Sequence, residues 1–186
     1  PSEVKWDVFK NIDPVFGGIP DGEPVNADGI VDYSTGNPML EIKTTSIDAF
    51  VYKTNKGLLH MQKEPDGTPL VKEVGGKKKT WYNDQGQFIV SKEYMYQLGL
   101  YMYLRNINKG TFAVCFLTKE DYAHPENFNI DNHEVVIKQF SLNGGIQNFK
   151  PLVDVARDWY NKYIKTGISP EMTDKDKLWL KEVQLL

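Results

Sequence analysis

Cysteine, histidine and arginine are scarce in this chain: one Cys, three His and two Arg among 186 residues. A lone Cys115 makes no internal disulfide and no thiolate cluster. Set in the apolar run Phe112-Ala113-Val114-Cys115-Phe116-Leu117, it reads as a small buried residue. His60, His124 and His133 are scattered without zinc-ligand spacing, which argues against a zinc centre. No apolar stretch approaches the roughly 18 residues that a membrane span needs, and no charged-then-apolar leader is present. A soluble, cytoplasmic protein with no membrane partner is therefore expected. The chain opens at Pro1 rather than Met, so residues upstream of it are expected. A formal charge of -3 excludes a histone-like protein that coats nucleic acid by charge alone. What is present is the material of a core: 40% hydrophobic residues, with 4 Trp, 10 Tyr and 9 Phe. Such a composition folds as one compact domain. Twenty Lys against two Arg also hints at an AT-rich coding sequence.

Short apolar runs separated by Gly, Pro and Asp pairs over residues 5 to 45 predict successive strands with tight turns. Gly29 to Tyr33 and Met39 to Thr45 flank Gly36-Asn37, a pair suited to a two-residue hairpin, so those runs are expected to pair antiparallel. Residues 46 to 90 are more polar. There Thr80 to Asn83 and Gln87 to Val90, around Asp84 to Gly86, predict a second hairpin projecting from the body. Ser91 is the expected N-cap of a helix to about Asn106, with Tyr94, Leu98, Tyr101 and Leu104 at helical spacing. A strand over Thr111 to Thr118, another around Glu134 to Phe140, and helices near Ile146 to Ile164 and Asp174 to Val183 complete a mixed α/β order, a sheet covered by helices.

The segment Leu40-Glu41-Ile42-Lys43-Thr44-Thr45 puts an acid and a base two apart, on one face of a strand, with Leu40 and Ile42 on the other. Most strands of that pattern have the charged face in solvent and the apolar face in the core. A hairpin at Gly36-Asn37 places Asp32 across from Leu40 and Glu41, so that two carboxylates converge. Like charges at about 4 Å repel by about 1 kcal/mol in water and about 4 kcal/mol at an effective dielectric of 20, so such a pair calls for a cation or a shared proton. Oxygen-only ligation suits Mg²⁺ or Mn²⁺. Asp21, in Gly17-Gly18-Ile19-Pro20-Asp21-Gly22, is the rival for the aspartate position; read locally it is a Pro-Asp-Gly turn.

Gly-Gly-Ile-Pro-Asp-Gly, then Leu-Glu-Ile-Lys-Thr-Thr, then the helix containing Tyr94-Met95-Tyr96-Gln97-Leu98-Gly99-Leu100-Tyr101 resemble, in that order, the PD-(D/E)XK nuclease superfamily. The likeness is closest to its YqaJ-type viral recombinase and lambda-exonuclease-like branch, and covers roughly residues 15 to 118. It implies a restriction-endonuclease-like α/β core, a mixed central sheet flanked by helices, in a single domain with residues 46–90 as an inserted Lys-rich hairpin. It further implies metal ligation by Asp21 (or Asp32), Glu41 and the Ile42 carbonyl, with Lys43 serving the attacking water and Gln97 and Tyr101 facing the site. Asp21 stands 20 residues before Glu41, a longer connection than is usual in this branch. The family's acidic residue on a helix before the first core strand has no good counterpart here, since Glu3 is poorly placed; either that helix lies upstream of this chain or the site is incomplete.

Charge is polarised along the chain. Residues 43 to 92 hold nine Lys and five acids, whereas the remainder is net acidic. Lys77, Lys78 and Lys79 beside Trp81 are therefore expected to track phosphates and stack on bases, or else to form a solvated loop over packed aromatics. The expected function is a Mg²⁺-dependent (or Mn²⁺-dependent) DNA nuclease, exonuclease-like, in recombination, repair or phage-type processing. A ring-forming homo-oligomer is implied by the resemblance alone. The alternatives are a catalytically inactive nucleic-acid or protein binding module of the same fold, and an ordinary α/β scaffold in which Glu41 and Lys43 form a surface pair.

Overall fold

A computed structural model describes residues 12–73 and 76–182; the expectations that fall on residues 5 to 11, Glu3 and Val183 lie outside the described residues. The chain is mixed α/β. Strands β1 (Met39–Ser46), β2 (Asp48–Phe50), β3 (Tyr52–Asn55), β4 (Leu58–Met61) and β5 (Val71–Glu73) precede the helix α1 (Lys92–Arg105). Strand β6 (Lys109–Leu117), the short helix α2 (Lys119–Ala123), strand β7 (Val135–Ser141) and helices α3 (Lys150–Trp159) and α4 (Asp174–Glu182) follow.

The main sheet has the order β1-β6-β7. β1 and β6 run parallel, Glu41 opposite Phe112 and Lys43 opposite Val114, and β7 closes the sheet antiparallel to β6. Parallel neighbours need a crossover, and α1 supplies it. Its limits follow the sequence closely. The Ser91 hydroxyl accepts from the Tyr94 amide, and Asn106 ends the helix in the left-handed conformation. Leu98, Tyr101, Met102 and Leu104 of α1 pack with Met39, Phe112, Val114 and Phe116 in one core. Gly110 allows this approach, because a Cβ there would lie 2.8 to 2.9 Å from Met102 and Leu98 side-chain atoms. The helical pattern from Ile146 to Ile164 divides into a 3₁₀ turn at Ile146–Phe149, α3, and a π-helical turn at Tyr160–Ile164.

Two sequence expectations are overturned. First, Gly29–Tyr33 does not pair with β1. Val25 instead bridges Val31, and Gly22 bridges Leu40, with Gly22 N–H donating to Leu40 C=O at 3.0 Å and Leu40 N–H to Gly22 C=O at 2.9 Å. The tight turn belongs to Asn26–Gly29, where the Asn26 side-chain oxygen accepts from the amides of Asp28 and Ile30. A two-residue turn at Gly36-Asn37 needs positive φ at both positions, and only Gly36 has it. Second, the Lys-rich segment does not project. Lys77–Trp81 is a 3₁₀ turn, and the chain then doubles back at Asn83–Gly86 as expected, the two arms joined by a single antiparallel Tyr82–Phe88 bridge. Trp81 drives this: it is buried, stacked between Phe88 at 5.8 Å and Tyr94 at 5.5 Å. Elsewhere in the 46–90 segment, β2 pairs β5 and β3 pairs β4 as two small antiparallel sheets.

Candidate metal and phosphate centre

The polarity of β1 is inverted relative to the usual strand. Glu41 lies on the inner face with Met39 and is 1% exposed, whereas Ile42 on the outer face is 47% exposed. The alternative of a surface pair Glu41–Lys43 over an apolar core face of Leu40 and Ile42 is therefore not what the strand adopts. The cause is α1, which covers the row Met39-Glu41-Lys43-Thr45: Lys43 Nζ stands 5.1 Å from the centroid of the Tyr94 ring. A buried carboxylate beside an exposed isoleucine runs against the ordinary hydrophobic ordering of a strand.

Within this row Lys43 Nζ donates to Glu41 Oε1 at 2.5 Å, while Glu41 Oε2 is buried without a hydrogen-bond partner among the described residues. Burial pushes the Glu41 carboxyl above the ordinary carboxylate range, the Lys43 ammonium draws it back, and the negative charge of Asp21 adds to the rise. Asp21 reaches the site across the open edge of β1, where its Oδ2 accepts from the Ile42 amide at 2.7 Å. In a strand the N–H and C=O of one residue point to the same side, so the Ile42 carbonyl is directed to the edge that Asp21 occupies. Asp21 thus stands at the edge of the strand that carries Glu41, near enough for its charge to act on that carboxyl.

Asp32 is not part of this group. Its carboxylate accepts from the Ser34 amide at 2.8 Å, and the Ser34 contacts hold it below the ordinary range. Its own amide is tied to the Pro24 carbonyl in the 24–32 hairpin. Asp21 rather than Asp32 lies beside β1 because the register differs from the one that Gly36-Asn37 suggests.

Tyr94, Gln97 and Tyr101 recur at three and four residues, so they share one side of α1. Tyr94 meets Lys43. Tyr101 is buried against Gly18, where a Cβ would collide with its ring. Gln97 stands between them, its Nε2 3.4 Å from Tyr101 Oη, a long contact that leaves the amide adaptable. Tyr101 is a core residue behind the site, not a surface that meets nucleic acid. The Lys run also divides. Lys78 is paired with Glu134, whereas Lys77 and Lys79 are exposed and make no ion pair among the described residues. Trp81 is unavailable for base stacking because it is buried.

Sequence reasoning did not single out Tyr94, although it lies one turn before Gln97. Nor did it find the clamp that fixes the Asp21 segment: Arg105 Nε and Nη2 hold both oxygens of Glu23 at 2.7 and 2.8 Å, and the Tyr33 hydroxyl donates to the same carboxylate at 2.9 Å. Glu23 and Arg105 lie 82 residues apart, and no local pattern announces such a pair. Among the described residues no group of three or more His, Cys, Asp or Glu converges.

No family model matches the chain, and no solved structure matches it. It is 49% identical over 182 residues to "Uncharacterized protein MG373" of Mycoplasma genitalium, and 47% identical over 182 residues to its homolog in Mycoplasma pneumoniae. Each alignment takes in 98% of this chain and 64% of the relative, so the chain spans just under two thirds of the curated proteins it matches. Neither name states an activity.

Proposed function

We propose that the chain carries the cleavage centre of a metal-dependent DNA nuclease with a restriction-endonuclease-like core of the PD-(D/E)XK type. The supporting observation is the orphaned, buried Glu41 Oε2, set beside Asp21 and the Ile42 carbonyl with the Lys43 ammonium one pleat along. A buried acceptor without a partner costs about 1–3 kcal/mol, and a cation on that oxygen would offset it. The donor set is all oxygen and carries two negative charges, which fits Mg²⁺ or Mn²⁺ completed by water and phosphate oxygens. A bound divalent ion would supply Lewis acidity toward the scissile phosphate.

The chain's own residues do the rest. Lys43, held by Glu41 and by the face of Tyr94, presents N–H donors where charge develops on the phosphate and positions the attacking water. Gln97, between Tyr94 and Tyr101, offers an amide to the same water or to a non-bridging oxygen. Support comes from the Lys43 ammonium lying 5.1 Å from the centroid of the Tyr94 ring, one turn before Gln97 on α1. The test is incubation of the purified protein with linear and circular DNA in Mg²⁺, Mn²⁺ or EDTA, beside Lys43→Ala. Metal-dependent loss of linear DNA that Lys43→Ala abolishes supports an exonuclease; loss of both substrates supports an endonuclease. Metal-dependent binding without cleavage of either would replace this reading with an inactive binding module of the same fold.

A further inference from the structure

Beyond the carboxyl end of β1 the protein opens into a cleft of about 680 Å³. It shares a wall with the candidate centre. Tyr94, the ring beneath Lys43, lines it, as does Thr45, which follows Lys43 on the same strand face about 7 Å further on. Ser46 and Asp48, both buried, line the cleft as well, the Ser46 hydroxyl accepting from the Asp48 amide at 2.9 Å, so that this pair shapes the wall. Phe50 and Tyr122, in edge-to-face contact at 5.2 Å, supply aromatic surface. Lys77 and Lys79 stand exposed among the lining residues, and neither is engaged in an ion pair among the described residues. Aromatic surface beside exposed ammonium groups suits a nucleotide whose base stacks on the wall while its phosphate stays with the lysines.

We propose that this cleft is a subsite for one unpaired nucleotide of the DNA strand presented to the Glu41–Lys43 centre, so that the substrate is single-stranded DNA or a frayed end rather than continuous duplex. This rests on the nuclease reading for its place beside a cleavage centre, but its binding chemistry can be measured without cleavage. The volume lies within the range of sites that enclose one small ligand and is too small to admit a duplex. Two lysines on successive phosphates give the strand its register, and the aromatic wall tolerates any base.

The test is fluorescence anisotropy in EDTA with a short single-stranded oligodeoxynucleotide and with a blunt duplex of the same sequence. Wild type is compared with the Lys77→Gln/Lys79→Gln double variant and with Tyr122→Ala, each checked for folding by circular dichroism. The single strand is expected to bind at least about tenfold more tightly than the duplex. The double variant should weaken single-strand binding about tenfold and reduce the slope of log affinity against log salt by about 1.4, since each single-strand phosphate contact contributes about 0.7. Tyr122→Ala should weaken it between about 5-fold and 150-fold, the range for loss of one stacked base. Equal affinity for the two DNAs, or a double variant that binds with wild-type affinity and salt slope, overturns the subsite whether or not the protein cuts. Tight, lysine-dependent binding of the single strand by a protein that never cleaves DNA sustains the subsite and removes the nuclease reading instead.

Discussion

Replacing Glu41 by Gln separates a metal ligand from a structural ion pair, because the two roles move stability in opposite directions. In the folded protein the carboxyl is 1% exposed, one oxygen is bonded to Lys43 and the other has no partner among the described residues. Its pKa is raised, so the folded state binds its proton more tightly than the unfolded state does. The associated stability is therefore present at acidic pH and is lost as pH rises from the ordinary carboxylate range through the raised value. At neutral pH without metal the carboxylate is a cost. Glutamine keeps the shape, can accept from Lys43 and can turn its amide toward Asp21, relieving a penalty of about 1–3 kcal/mol. Weaker attraction to Lys43 cancels part of this, leaving a net gain of about 1 kcal/mol, or about 2–4 °C in Tm for a chain of this size. Manganese should reverse the order. At a hundred times its Kd it stabilises wild type by about 2.7 kcal/mol and the variant far less. Differential scanning calorimetry in EDTA and in MnCl₂ reads both. A variant less stable than wild type in EDTA, with manganese moving neither, would make Glu41 an ordinary ion-pair partner and end the metal assignment.

Other perturbations probe the surroundings. Both ring nitrogens of His133 face acceptors, the Asp121 carboxylate at 2.7 Å and the Asn129 carbonyl at 2.7 Å; only the protonated ring can donate to both, which raises its pKa. Its contribution to stability is complete below about pH 6.5 and is lost as pH rises through the raised value, so denaturant midpoints should fall over that window in wild type and stay flatter in His133→Gln. Arg105→Gln should lose about 1.5–3 kcal/mol of stability by urea titration, the range for hydrogen bonds to charged groups. It should also weaken Mn²⁺ binding by calorimetry, since Glu23 and Asp21 ride on the same segment. Trp81→Ala should cost about 3–5 kcal/mol as a core truncation. Trp81→Phe, which keeps the stack, should leave oligonucleotide affinity unchanged; a selective loss of affinity there would restore Trp81 as a base-stacking residue.

Local chemistry made much of the fold legible. Ser91 and Asn106 bracket α1, the apolar run around Cys115 is β6, and the helices after Ile146 stand near their expected places. Long-range pairing was less visible. Gly36-Asn37 competes as a turn signal with Asn26 and Asp28-Gly29, and only the side-chain bonds of Asn26 decide between them. That one register difference moves Asp32 away and brings Asp21 in. The Glu-x-Lys spacing correctly put both side chains on one face, yet periodicity alone could not tell which face α1 would cover. The Lys-rich segment misled for a related reason: polarity suggested a projecting arm, but Trp81 and Phe88 bury enough ring surface to fold it down.

The inside-out strand carries an engineering consequence. A library randomised over residues 40 to 43 and sorted only for heat resistance is expected to drift toward a neutral or aliphatic group at 41 and a polar one at 42, restoring ordinary hydrophobic ordering. On the nuclease reading its hardiest survivors would be those stripped of the proposed centre, so robustness and metal binding must be scored together in such a screen.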